Sequence, residues 1–228
     1  MTGAADRGDF DATSTIVGLD PGNGATSIDQ RIVRKTFERQ WRNFVERRDS
    51  GKPWLDYTPY ELRNIGAFVR LGWRDRASAL MRFYLADRRP AAWNGWAEVV
   101  GRLPRETRFI GDMPHAWISS DYIRSALDLF YSERRSDRAL VLAAGVPTAW
   151  LAGQGVAIRD IRTPYGRLSY TLRPSGRDLR LDLTGGFVLP WPFAGTPGVA
   201  RIDGRAANLR NGELAIPAGA RRVVLRRR

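Results

Sequence analysis

The spacing of apolar residues changes once along this chain, and the change divides it. From Asp29 to Arg48, Val33, Phe37, Trp41, Phe44 and Val45 recur at helical spacing, with arginines, Glu38 and Glu46 on the opposite face. This predicts a first helix, capped by Ser27 or Asp29 and ended by Asp49-Ser50-Gly51-Lys52-Pro53. Thr58-Pro59-Tyr60-Glu61 reads as the start of a second helix. Proline takes the first helical position and glutamate stands three residues after threonine, as in a capping box. Leu62, Ile65, Phe68 and Val69 form its apolar stripe, and Gly72 stops it. A third helix runs from about Asp75 to Ala86 with Leu80, Met81, Tyr84 and Leu85 inward, and the short turn between the two makes an antiparallel hairpin. A fourth is expected from about Ser119 to Glu133, with Tyr122, Ile123, Ala126, Leu127, Phe130 and Tyr131 facing the core. Residues 1–27 hold no helical period and end in the turn cluster Asp20-Pro21-Gly22-Asn23-Gly24.

From Ala139 the period is two. Strands are predicted at 139–143, 156–159, 168–172, 179–183, 187–189 and 223–225. Gly166, Ser175-Gly176, Gly185-Gly186, Asp203-Gly204 and Asn211-Gly212 mark turns between them. Many short strands at this spacing suggest an antiparallel sandwich. The expected fold class is therefore α+β in two parts: helical hairpins over 1–133, then a mostly antiparallel β-sandwich over 139–228, with the boundary near 134–138.

Composition sets limits on this picture. With 228 residues, 43% of them hydrophobic, the chain can build a sizeable core. The absence of cysteine excludes disulfides and thiolate chemistry. The first residues carry no basic and apolar leader, and no apolar run approaches the ~20 residues of a membrane span. A net charge of +13 raises the question of a nucleic-acid partner. Lys35 and Lys52 are the only lysines and the arginines are dispersed, so a bias toward arginine codons is the favoured account over phosphate binding.

The candidate chemistry lies between Ala91 and Arg124. Pro90, Gly95, Gly101, Pro104, Gly111 and Pro114 make most of this stretch a loop, yet it holds Trp93, Trp96 and Trp117. Indoles in a loop either pack down or line a concave site, and beside a carboxylate they suit the apolar face of a sugar. Glu98 is the first candidate acid or base; its alternative is an ordinary salt bridge to arginine. Asp112 could be a second carboxylate, a hydroxyl ligand or a cap. His115, the only histidine, could be a base, a donor to a sugar hydroxyl or a structural residue. Glu61 has a cap to make, while Tyr60 and Arg63 sit at a helix start, where side chains can enter a cleft. There is no phosphate-binding glycine loop, no nucleophile elbow and no second histidine for a metal pair, so no metal or cofactor is expected.

Helix hairpins, a Trp-x-x-Trp-x-Glu loop (Trp93, Trp96, Glu98), Gly111-Asp112-Met113-Pro114-His115-Ala116-Trp117 leading a helix, and then strands follow one another in this order. The whole resembles the C-terminal part of six-hairpin, (α/α)6-barrel glycoside hydrolases. Phe10-Asp11-Ala12-Thr13-Ser14-Thr15 and Tyr57-Thr58-Pro59-Tyr60-Glu61-Leu62-Arg63-Asn64 are similar to bacterial members of that group that often carry a discoidin-type (coagulation factor 5/8 type C) domain elsewhere. The resemblance implies an oligo- or polysaccharide substrate and a barrel completed by a missing N-terminal segment. It also implies a general acid/base mechanism with Glu98 as base and Glu61 or Asp112 as a second carboxylate, the two carboxyls about 6.5–9.5 Å apart in an inverting enzyme. Trp93, Trp96, Trp117, Tyr60, Arg63 and His115 would bind substrate, and the inner-helix starts with the Trp93–Glu98 loop would gather at one end of the barrel. The alternative is a carbohydrate-binding or interaction module without catalysis.

Overall fold

The computed structural model describes residues 10–20, 27–50, 59–88, 90–99, 112–184, 187–190, 192 and 198–226. Thr58 of the capping box, the Gly22-Asn23-Gly24 and Lys52-Pro53 turns, Gly101, Pro104, Gly111 and Gly185-Gly186 lie outside them. The chain is α+β with antiparallel sheets and separates into two compact units, Met1–Leu129 and Phe130–Arg228. The division falls ahead of the expected 134–138 boundary because residues 131–134 already pair as a strand.

The first unit is helical. α1 (Ala12–Leu19) occupies a stretch read as lacking helical period. Its β-branched residues Thr13, Thr15, Ile16 and Val17 disfavour a helix, but Asp11 caps it, accepting from the Ser14 amide at 2.9 Å and the Thr13 hydroxyl at 2.8 Å. Ala12, Ile16 and Leu19 then bury one face. α2 (Gln30–Asp49) is capped by Asp29, which accepts from the Arg31 amide, and it buries Val33, Phe37 and Phe44 together with Thr36 and Gln40. The expected second helix is split into a 3-10 turn at Pro59–Arg63 and α3 (Asn64–Arg70). Gly72, at φ 76°, and Trp73 turn the chain into α4 (Arg74–Ala86), which buries Leu80, Met81 and Tyr84 as the periodicity requires.

α5 (Ala116–Phe130) starts and ends three residues earlier than expected. Its inward stripe is also rotated. Ile118, Asp121, Ser125 and Leu129 are buried, whereas Ile123 is 60% exposed. The stripe is half polar because its polar members are satisfied. The Ser125 hydroxyl donates to the Leu62 carbonyl at 2.9 Å, and Asp121 accepts from Arg63.

The second unit is built of strands. One sheet has the order β1 (Tyr131–Arg134), β2 (Ala139–Leu142), β6 (Phe187–Pro190), β9 (Glu213–Ile216), antiparallel except for β2 against β6. The other has the order β3 (Val156–Thr163), β4 (Gly166–Ser175), β5 (Asp178–Leu183), β10 (Arg222–Arg226), β7 (Val199–Ile202), β8 (Arg205–Ala207), antiparallel throughout. The turn dipeptides act as read. Asp203-Gly204 links β7 to β8 and Asn211-Gly212 leads into β9, and all four residues take left-handed φ, between 46° and 82°, as tight primed turns demand. Leu140, Leu142, Phe187, Leu189, Leu214 and Ile216 from one sheet join Leu168, Tyr170, Leu172, Leu181, Val223 and Leu225 from the other in one apolar cluster.

Candidate functional site

The 3-10 turn at Pro59–Arg63 sends neighbouring side chains to different places. At three residues per turn, positions i and i+3 eclipse. Tyr60 and Arg63 therefore share a face, with the guanidinium 4.5 Å from the Tyr60 ring centroid. Glu61 points elsewhere. It is buried, and Arg47 grips both its carboxylate oxygens, Nη1 on Oε2 and Nη2 on Oε1, each at 2.8 Å. Gln40 Nε2 adds a third bond at 2.8 Å. The expectation of Glu61 as a catalytic carboxylate is corrected here: its acceptor positions are filled by α2, and it ties the turn to that helix.

Tyr60 meets the segment that leads into α5. Its hydroxyl lies 2.8 Å from Nε2 of His115, and Nδ1 of His115 lies 2.7 Å from Oδ2 of Asp112. A carboxylate only accepts, so Nδ1 donates to Asp112, and in the neutral ring Nε2 then accepts from the phenol. Burial, then the charge of neighbouring Glu98, pushes the Tyr60 hydroxyl above its ordinary value of 10, which keeps it protonated and donating at neutral pH. Asp112 sits at φ 48°, a left-handed conformation that aspartate tolerates, and this bend brings its carboxylate under the imidazole three residues on. His115 is largely enclosed, while Asp112 is open to solvent.

Glu98 completes the group. One carboxylate oxygen of Glu98, one of Asp112 and a ring nitrogen of His115 all lie within 4.8 Å of one another. That spacing would let a small cation bridge them, but both imidazole nitrogens are already engaged, so a cation would have to displace Tyr60 or Asp112. The same spacing keeps Glu98 and Asp112 together as two neighbouring carboxylates, their nearest oxygens closer than the about 6.5–9.5 Å expected between inverting carboxyls.

The indoles separate into two kinds. Trp117 is 64% exposed and stands edge-on to Tyr60, 5.9 Å between centroids; Trp93 is 63% exposed. Trp96 is core: 4% exposed, its Nε1 donates to the Tyr84 carbonyl at 2.9 Å and its ring lies 4.7 Å from that of Tyr122. The expectation that Trp96 binds substrate is corrected accordingly.

Asp121 was not singled out in the sequence. It lies one turn into α5 and accepts from Arg63 Nε at 2.8 Å; burial raises its pKa, against the pull of Arg63. A polar residue between Ile118 and Ser125 on the inward spacing was the available signal. Beyond it, Arg70 bridges Asp128, at 3.1 Å, and Asp20, and Arg124 reaches Asp20 at 2.9 Å. These residues, with Arg63 and Asp121, line a shallow hollow beside α5. The first unit thus brings together the Glu98 carboxylate, a hydrogen-bonded Asp112–His115–Tyr60 chain and the exposed Trp117 indole beside Tyr60. No family model and no curated protein matches the chain. Among the described residues, no helix is long and apolar enough to cross a membrane.

Proposed function

We propose that the first unit carries part of a carbohydrate-hydrolysing site, with Glu98 as the general base that activates water. The observation that carries this reading is the convergence of Glu98, Asp112, His115 and Tyr60 beside the exposed Trp117. Trp117 offers an apolar face on which a pyranose ring stacks, and Trp93 is a second candidate platform. His115, held by Asp112, fixes the Tyr60 phenol, whose oxygen is left to accept from a sugar hydroxyl, in the way an aspartate orients the imidazole of a catalytic triad. Arg63, locked between Tyr60 and Asp121, positions that phenol. Asp112, with an oxygen within 4.8 Å of one of Glu98, is the second carboxylate of the site, closer than the about 6.5–9.5 Å of an inverting pair. This reading takes the helices as hairpins of an (α/α)6 barrel that an N-terminal segment completes. The two sheets, sharing one apolar cluster, form the accompanying β-sandwich.

Titration of the full chain with neutral oligosaccharides, followed by tryptophan fluorescence, tests the reading. Binding should persist as salt rises, vanish in Trp117→Ala and survive in Glu98→Gln. No response to any neutral oligosaccharide, or binding untouched by Trp117→Ala, would overturn it. In the completed protein Glu98→Gln should abolish turnover; if the completed protein binds sugar without any turnover, the site is a carbohydrate-binding module instead.

A further inference from the structure

The positive charge is not spread evenly. Residues 130–228 hold 17 arginines against 7 acidic residues, so this unit carries +10 of the chain's +13. A codon bias acts on both units alike, yet the first balances 20 basic residues with 17 acidic ones. The excess therefore belongs to the second unit, and strand alternation places much of it on one surface. Leu168, Tyr170, Leu172, Leu179, Leu181, Val223 and Leu225 face the apolar cluster, so the residues between them face away.

Cross-strand register arranges that outer face in rows. Arg173 on β4 stands opposite Arg180 on β5, Arg180 opposite Val224 on β10, and Val224 opposite Arg201 on β7. The next row is Thr171, Asp182 and Arg222. Like charges directly opposite one another destabilise a sheet. Here Arg173, Arg180 and Arg222 turn to one carboxylate, Asp182, at 3.7, 2.8 and 3.2 Å. One negative charge among three guanidiniums leaves a surplus of two, with side chains of Arg173 and Arg222 more than half exposed.

We propose that this face binds an acidic polysaccharide through its uronic-acid carboxylates. Asp182 displays the recognition chemistry within the protein itself, a carboxylate held by several guanidinium forks, and the outward donors of Arg173, Arg201 and Arg222 offer the same to an incoming carboxylate. Thr171 and Ser175, on the same face, supply hydroxyl partners for sugar hydroxyls. Nucleic acid fits less well. No aromatic residue occupies the outer positions of β4, β5, β7 or β10 to stack a base. The proposal uses no residue of the Glu98 site, so failure of either reading leaves the other standing.

Affinity electrophoresis of the full chain through gels containing polygalacturonate tests it. Retardation is expected at low salt and should weaken at least about tenfold in Arg173→Gln/Arg201→Gln/Arg222→Gln, each of which removes a charge-assisted contact. Arg31→Gln/Lys35→Gln/Arg42→Gln on α2 lowers the net charge equally and should leave retardation unchanged. If the sheet triple does not fold, Arg173→Gln alone, which keeps the Arg180–Asp182 pair, should still weaken retardation measurably. Absence of retardation overturns the proposal, as does equal weakening by both triples. Tighter binding of duplex DNA than of polygalacturonate, lost in the sheet triple, overturns it in favour of nucleic acid.

Discussion

Glu61→Gln should destabilise the first unit without emptying the candidate site. The substitution keeps the volume of the side chain and removes its charge. Three bonds of 2.8 Å now end on the Glu61 carboxylate, two from Arg47 and one from Gln40. A glutamine amide would turn N–H donors toward a guanidinium that has only donors. Breaking a buried pair by removing one partner costs about 3–5 kcal/mol. The Arg47 side chain is 19% exposed, so water recovers part of that. A loss of roughly 2–4 kcal/mol remains, on the order of 5–15 °C in melting temperature for a unit of this size. Urea titration followed by tryptophan fluorescence, with calorimetry alongside, would measure it. The double variant Arg47→Met/Glu61→Leu should recover most of the loss, because it leaves neither charge buried alone. If Glu61→Gln keeps wild-type stability to within about 0.5 kcal/mol yet loses oligosaccharide binding, the carboxylate faces the site and its structural assignment is refuted.

Trp96→Ala should cost about 3–5 kcal/mol, as for large core aromatics, while Trp117→Ala should change stability by no more than about 0.5 kcal/mol; chemical unfolding of the two variants checks the division of the indoles. Gly66→Ala should cost about 1–3 kcal/mol, because a Cβ there would sit 2.3 Å from the Asp128 carboxylate, itself pinned by Arg70; unchanged unfolding would mean the ion pair moves aside freely. Arg134 bonds Asp137 and Glu213, and its hydrogen bonds hold Asp137 below the ordinary 3.8. A depressed carboxylate contributes stability that is present above the unfolded value and lost as pH falls through the folded one. Arg134→Met should therefore be less stable than wild type near pH 6, by at most about 1 kcal/mol for a pair this exposed, and the gap should close as pH falls below the ordinary carboxylate value and through the depressed one; a gap that widens in acid would contradict the pairing.

Where apolar spacing and burial agree, the sequence reads directly: Val33, Phe37 and Phe44 on α2 and Leu80, Met81 and Tyr84 on α4 lie inward as their period requires. The hairpin turns are equally plain, because Asp203-Gly204 and Asn211-Gly212 are among the few dipeptides that hold left-handed φ at both positions. α1 was hidden by its β-branched run, which speaks for a strand until the Asp11 cap is counted. α5 was misread in phase for a different cause. Hydrophobic periodicity assumes that the inward face is apolar, and this helix turns Asp121 and Ser125 inward, where Arg63 and the Leu62 carbonyl satisfy them. The short strands β1, β7, β8 and β9 have three or four residues each, too few for alternation to stand out.

The candidate site follows the same logic from the other side. Glu98, Asp112 and His115 are legible as loop residues that combine titratable side chains with neighbouring indoles, and they do come within one ligand's reach of each other. Glu61 and Tyr60 were separable only by the turn beneath them. In an α-helix, Tyr60 and Arg63 share a face only approximately; in the 3-10 turn they eclipse, and Glu61 is thrown toward α2. Neither Pro59 nor the residues after it specify that tighter winding. It follows from α2 offering, two turns apart, Gln40 and Arg47 as a fitted socket for one carboxylate. A single long-range ion pair thus decides which of two adjacent residues reaches the site, and local sequence has no record of it.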